Sequence, residues 1–219
     1  RSALTIAQGL GQREREAELL NTLGLVSIEQ ENWEEALVNL RRALGIYNLL
    51  PSAPEKSRVI WNIGRAQRGQ KRAQLNAALE RANAIRSGGE FSEATPELET
   101  ALRLARELGD AHLEGIVLAD LGHVSAAEQD WYTALTSFET ALSKLNQDDD
   151  TARRQEIQLA QINALRHRSS DRRASHRWTE ADADLSVALE TVQTLDEPTL
   201  QAELVYESGL VAAGQAVKV

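Results

Sequence analysis

The sequence predicts an all-α protein, an α-solenoid of antiparallel helix pairs. Three observations lead there. Residues 3–44 recur at 101–142, with sixteen identities in 42 aligned pairs, among them Gly11/Gly109, Leu20/Leu118, Gly24/Gly122, Trp33/Trp131 and Ala43/Ala141. Four Pro, 13 Gly and 4% aromatics in 219 residues, with abundant Ala, Leu, Glu, Gln and Arg, favour helix over sheet. Apolar residues then recur at i, i+3, i+4 and i+7, the spacing of one helix face. Internal repetition with helical periodicity is the mark of units that bury their apolar faces only against their neighbours.

The elements follow in order. Residues 3–10 align with 101–108, the last turns of a second helix, so the chain opens midway through a repeat. With Arg1 at its start and no methionine anywhere, it reads as a piece of a longer protein. In 17–30, Leu20, Leu23 and Ile28 form an apolar stripe with Gly24 in its middle. Glycine costs about 1 kcal/mol inside a helix, so its presence there predicts the close approach of a second helix. The break falls at Glu31-Asn32, where Asn32 and Glu35 have the spacing of a capping box. Trp33, Ala36, Leu37, Leu40, Ala43 and Leu44 then form the second stripe. The unit is a helical hairpin, with Gly24 and Ala36 as its small contacts.

These residues resemble the tetratricopeptide repeat (TPR), and the resemblance implies a right-handed superhelix of antiparallel helix pairs. The first copy reads Leu20, Leu23-Gly24, Trp33, Ala36, Leu40, Ala43, and another reads Leu118, Leu121-Gly122, Trp131, Ala134, Phe138, Ala141. Second helices alone recur at Phe91, Ala94, Leu98, Ala101 and at Trp178, Ala181, Leu185, Ala188. Partial first helices lie around Ile60, Ile63-Gly64 and around Val205 and Gly209. The aromatics Trp33, Phe91, Trp131 and Trp178 share one repeat position and are assigned to the core. Ser27 and Ser125 stand where the family often has Tyr, and no proline closes each repeat.

Spacing refines the pattern. Gly24 to Gly64 and Phe91 to Trp131 are both 40 residues, against about 34 in the common form, so the chain looks like the longer variety found in signalling scaffolds and bacterial multidomain regulators. Trp33 to Phe91 is 58 and Trp131 to Trp178 is 47. The excesses of 18 and 7 are close to five and two whole helical turns, and whole turns lengthen a helix without rotating its apolar face. Residues 56–87 and 151–175 are therefore predicted to be overlong first helices, the first continuous or broken near Gly69. The reading is one domain over 1–219, with repeats at about 13–50, 56–109, 111–146 and 151–195 and a trailing helix at 199–215. Both ends of such a solenoid expose apolar surface, which predicts self-association.

A net charge of −9 argues against indiscriminate nucleic-acid binding. No cysteine is present, so disulfides and thiolate chemistry are excluded. No apolar run reaches the length of a membrane span and no signal peptide is visible, so the chain is read as cytoplasmic, without membrane insertion. His112, His123, His167 and His176 show no metal-ligand spacing, and no catalytic constellation emerges. The acidic stretch 146–150 departs from a calcium loop, since Thr151 stands where glycine is needed and Ile157 where glutamate is. The reading is a non-enzymatic protein with no cofactor and no metal.

Two features rise above this background. From Lys56 to Leu79 the chain carries Lys56, Arg58, Arg65, Arg68, Lys71 and Arg72 and no acid. On a helix Arg58, Trp61, Asn62, Arg65, Arg68 and Arg72 share one face, with Val59, Ile60, Ile63 and Ala66 opposite. In the repeat family the first helices line a concave groove, and the resemblance puts Arg58, Trp61, Asn62 and Arg65 at ligand-facing positions. Asn21, Asp120, His123 and Tyr206 are further candidates of that kind. Arg beside Asn holds a carboxylate or acidic peptide through charge-assisted bonds. The second feature is a basic patch of Arg166, Arg168, Arg172, Arg173 and Arg177, a contact for an anionic surface or a charged helix end. The favoured function is a protein–protein interaction scaffold or adaptor that holds a partner peptide or helix in its groove. The alternatives are a sensor or self-assembly segment of a larger regulator or enzyme and, more weakly, nucleic-acid binding through the arginine clusters.

Overall fold

The structure, a computed structural model, describes residues 2–51, 53–145 and 150–216. Ten α-helices and no strand occur among them: α1 (Ser2–Gly9), α2 (Arg13–Glu29), α3 (Trp33–Tyr47), α4 (Lys56–Ser87), α5 (Phe91–Leu108), α6 (Ala111–Ala127), α7 (Trp131–Lys144), α8 (Thr151–Ala174), α9 (Trp178–Val192) and α10 (Pro198–Ala216). It is an all-α, solenoid-type arrangement in which sequential helices pack as neighbours. The helices fall into two compact units, one ending at Ala77 and one beginning at Ala78, within α4.

The hairpins are built by a recurring turn. Glu31, Gly89, Gln129 and His176 all have positive φ and end a first helix. The next residue closes the turn with a backbone bond five residues back, from Asn32 N–H to the Ser27 carbonyl, Asp130 to Ser125, Glu90 to Ile85 and Arg177 to Arg172. This satisfies carbonyls the helix end leaves open. Only Gly89 adopts that backbone at no steric cost. The turn then starts the second helix: Asn32 Oδ1 accepts from Glu35 N–H, and Asp130 Oδ1 from Thr133 N–H. Gly11 and Gly109 make the same left-handed turn between hairpins.

In the first unit, Ala17, Leu20, Ile28, Ala36, Leu37, Leu40, Ala43, Tyr47, Val59 and Ala66 form one buried cluster. Gly24 is packed against α3 so closely that an added Cβ would lie 2.6 Å from Leu40 Cγ and 3.3 Å from the Ala36 carbonyl oxygen. In the second unit the core runs from Leu118 and Phe138 through Ile157, Ile162 and Leu185 to Leu204 and Val211. There a Cβ on Gly122 would meet the Phe138 ring at 2.6 Å. The two faithful copies thus use one device, a first-helix glycine beneath a large second-helix side chain.

Helix α4 runs unbroken through Gly69 for 32 residues, and α8 for 24. Gly69 is the seat of Trp33, whose ring would lie 2.3 Å from an added Cβ. The repeat aromatics are not core as the sequence suggested. Trp33, Trp131 and Trp178 are half-buried, and Phe91 is 38% exposed. Each stands at the first residue of a second helix, at the edge of its hairpin, and the tryptophans lie across the next first helix.

Glycine in a helix has two opposite meanings here, and substitution separates them. At Gly45, in α3, an added Cβ meets nothing within 4 Å, so Gly45→Ala is expected to stabilise the protein by up to about 1 kcal/mol. Gly24→Ala gains the same propensity but overpacks against Leu40, at a cost of about 1–3 kcal/mol, and is expected to lower stability. Denaturant midpoints check both; a rise for Gly24→Ala would show that the hairpin does not depend on that contact.

Candidate functional site

Three places hold the residues singled out by the sequence. The first is the outward face of α4 in the first unit. Arg58, Arg68 and Arg72 are exposed, and Trp61 is 61% exposed. Arg58 and Arg68 have no carboxylate partner among the described residues. Arg65 is turned to Glu29, with Nη2 2.7 Å from Oε1. Asn62 does not share this face. It is 2% exposed, on a buried stripe with Val59 and Ala66, and its Nδ2 donates to Oδ1 of the buried Asn21 at 2.8 Å. Ile60, placed inward by the sequence pattern, is exposed instead. This bond ties α2 to α4 through two buried side chains. Beneath this face Tyr47 is buried with its hydroxyl unpartnered. Burial first, then Glu18 and Glu55, raise its pKa above 10.0, with Arg58 opposing.

The second place is the arginine-rich end of α8. Its guanidinium groups are mostly committed within the second unit. Arg166 Nη2 lies 2.7 Å from Glu207 Oε1 and 3.1 Å from Glu203 Oε2. Arg168 makes a two-point bond to Asp184, at 2.5 and 3.1 Å, and Arg172 adds a third at 2.5 Å. Asp184 is 3% exposed, so the two guanidiniums supply the charge and donors a buried carboxylate needs. Arg177 pairs with Glu180. Arg173 differs: it has no carboxylate partner among the described residues, and its Nε is buried and unpartnered. This stretch is mainly an internal ion network between α8, α9 and α10, not an open basic patch.

The third place is a hollow of about 470 Å³ between α6, α7 and α8, lined by His123, Trp131, Phe138, Glu156, Ala160 and His167 together with Ala126, Ala127 and others. The Trp131 and His167 rings stack at 5.2 Å and 8°, and Trp131 Nε1 donates to Asp171 Oδ2 at 2.7 Å. His123 meets the Phe138 ring edge-on at 5.2 Å, and its Nε2 is buried without a partner. A second hollow of about 320 Å³ shares Asn163 and His167 with the first and adds Arg166, Ser170, Arg173 and Glu207. Asp120 lies one turn before His123. It is buried between Arg86 and Arg153, at 3.0 and 3.2 Å. Tyr206 is exposed on α10 and lines neither of these hollows. Of the acidic stretch 146–150 only Asp150 lies within the described residues, and it faces His112 Nδ1 at 3.1 Å.

Of the residues lining the two hollows, the sequence singled out His123, Arg166 and Arg173 but not Asn163, Ser170 or the pairing of Trp131 with His167. A signal was available. Gly69, His167 and Gly214 each lie 36 residues after Trp33, Trp131 and Trp178, and a Cβ on Gly214 would touch the Trp178 ring at 2.4 Å. Where two repeats seat the tryptophan on glycine, the third presents an imidazole.

Residues 17–51, the α2–α3 hairpin, match the family model described as SHNi-TPR. The match covers that hairpin and supports a TPR-type helical repeat there. Such repeats are in general protein–protein interaction scaffolds and are generally non-enzymatic. No curated protein sequence matches the chain. Among solved structures it is similar to the crystal structure of BtubC (BKLC) from P. vanneervenii, at 14% identity and a TM-score of 0.42, over 98% of this chain and 81% of that one. A likeness at that level carries no functional argument. No described helix is long and apolar enough to cross a membrane.

His123 gives the site a measurable signature. Burial lowers its pKa below the ordinary 6.5; Asp120 opposes that shift, and Arg86 adds to it. Between 6.5 and the folded value the unfolded chain binds a proton that the folded chain refuses, so stability falls as pH falls through that window. An NMR titration of the His123 ring is expected to inflect below 6.5, and His123→Gln to flatten the loss of stability there. Inflection at or above 6.5 would refute the buried, neutral assignment.

Proposed function

We propose that the chain is a non-enzymatic adaptor that captures an acidic segment of a partner protein on the outward face of α4. The observation that carries this reading is Trp61, left 61% exposed between Arg58 and Arg68, neither of which has a carboxylate partner among the described residues. A large aromatic flanked by uncompensated guanidiniums is the composition of an interface anchor. The rest of the chain supports an acidic partner by contrast: within a net charge of −9, this stretch alone runs 24 residues, 56–79, without an acid. Arg65, held by Glu29, and the buried Asn62 contribute orientation and packing of α4 and no contact to the partner.

Peptides selected from an unbiased display library against the wild-type chain are expected to be net acidic. Arg58→Glu combined with Arg68→Glu is expected to weaken them by about tenfold or more, with helical circular dichroism and melting temperature unchanged. Selected peptides without acidic bias, or binding indifferent to the double substitution, would overturn the assignment.

A further inference from the structure

The paired hollows of the second unit share the scaffold reading above but do not depend on the α4 face. We propose that the hollow between α6, α7 and α8 seats a tyrosine side chain of a partner protein segment, and that a glutamate or aspartate about three residues away on that segment reaches Arg173.

The walls select an aromatic ring. Trp131 stacked on His167 forms one side and Phe138 another, surfaces that favour offset or edge-on ring contacts. Alanines at 126, 160 and 164 leave the space open, and about 470 Å³ is at the small end of ligand sites. That room suits one large side chain better than a folded element.

The polar group selects tyrosine over phenylalanine. His123 Nε2 is buried and has no hydrogen-bond partner. Such an atom raises the free energy of the empty site until a ligand satisfies it. A phenolic hydroxyl both donates and accepts, so it serves either tautomer of the imidazole; a phenyl ring does neither. Burial keeps this imidazole neutral at neutral pH, which favours a neutral hydroxyl over an anion at this point.

The anion belongs one step along. Further along α8, the adjoining hollow contains Arg173, whose Nε is buried and unpartnered. Glu207 lines the same hollow but is already bonded by Arg166. Arg166, Arg168, Arg172 and Arg177 each hold a carboxylate, which leaves Arg173 as the uncompensated cation among the described arginines of that run. A carboxylate there gains a charge-assisted bond. The hollows adjoin along α8, and Arg173 lies six residues beyond the shared His167, about 9 Å along the helix at about 1.5 Å per residue. An extended segment advances about 3.3 Å per residue, so the tyrosine and the acid are about three residues apart.

The test uses the full 219-residue chain, ¹⁵N-labelled, and the blocked peptide Gly-Tyr-Ala-Ala-Glu-Gly with its Phe-for-Tyr and Gln-for-Glu counterparts. The parent peptide is expected to shift the amides of Ala126, Ala160 and Ala164, and each counterpart to bind about fivefold more weakly. In His123→Phe the preference for tyrosine over phenylalanine is expected to vanish, and in Arg173→Gln the preference for glutamate over glutamine. Ala160→Phe fills the hollow and abolishes the shifts, whereas Arg58→Glu with Arg68→Glu leaves them intact. Equal binding of the tyrosine and phenylalanine peptides to the wild type would overturn the proposal, and so would shifts at α4 alone or none at millimolar peptide. Those three outcomes are read on the unmodified protein, and none of them bears on display-selected ligands of the α4 face.

Discussion

The contact on which each faithful hairpin depends is a glycine of the first helix lying under a large side chain of the second. Gly24 under Leu40 and Gly122 under Phe138 bring the helix backbones to a separation at which a single added carbon would sit 2.6 Å from its neighbour. Once that approach is set, Ala36, Ala43, Ala134 and Ala141 must also be small, and all four are fully buried. The left-handed residue between the helices follows from the same demand, because only a tight reversal returns the chain at so short a distance. Glu31, Gln129 and His176 accept that backbone without being glycine, a local strain of order 1 kcal/mol that the packing outweighs.

Stacking one hairpin on the next uses a different contact, and function enters there. Trp33, Trp131 and Trp178 each lie on the following first helix, against the residue 36 positions later. Glycine at 69 and 214 lets the indole settle on the backbone of that helix. At 167 the imidazole meets the indole face to face, and Asp171, one turn on, holds the indole N–H. The same architectural position is scaffold in two repeats and part of a hollow in the third. The two insertions preserve it because they are close to whole turns. Helices α4 and α8 are longer than their counterparts, yet each runs unbroken from end to end.

Most of the elements were legible in the sequence because they rest on local signals: the 3.6-residue stripe, the capping box at Asn32, and the glycine set within the first-helix stripe. What was not legible depends on partners far away in the chain. Hydropathy counts Asn62 as polar and rotates the face of α4 accordingly, but Asn21, 41 residues earlier, accepts its amide and lets it be buried. The α8 arginines read as a basic patch until Asp184 and Glu207 arrive from α9 and α10. Trp131 and its relatives read as core because large aromatics usually are, whereas their position at a helix start puts them at a seam.

The same ledger of partners separates structural from functional charge. Burying Asp184 without a cation would cost several kcal/mol, so two arginines beside it are what the fold requires. They explain themselves, and nothing external needs to bind them. Arg58, Arg68 and Arg173 have no such explanation among the described residues. Each is a cation in an otherwise acidic chain, placed beside an aromatic surface: Trp61 in the first unit, the Trp131–His167 stack in the second. Holding a charge unpaired next to apolar surface forgoes stability that a nearby glutamate would have supplied at little cost. A scaffold of repeats, whose faithful copies differ so little, has only its irregular positions with which to distinguish one partner from another. Specificity is therefore to be sought at these residues, where the repeat pattern is broken and the charge is left over.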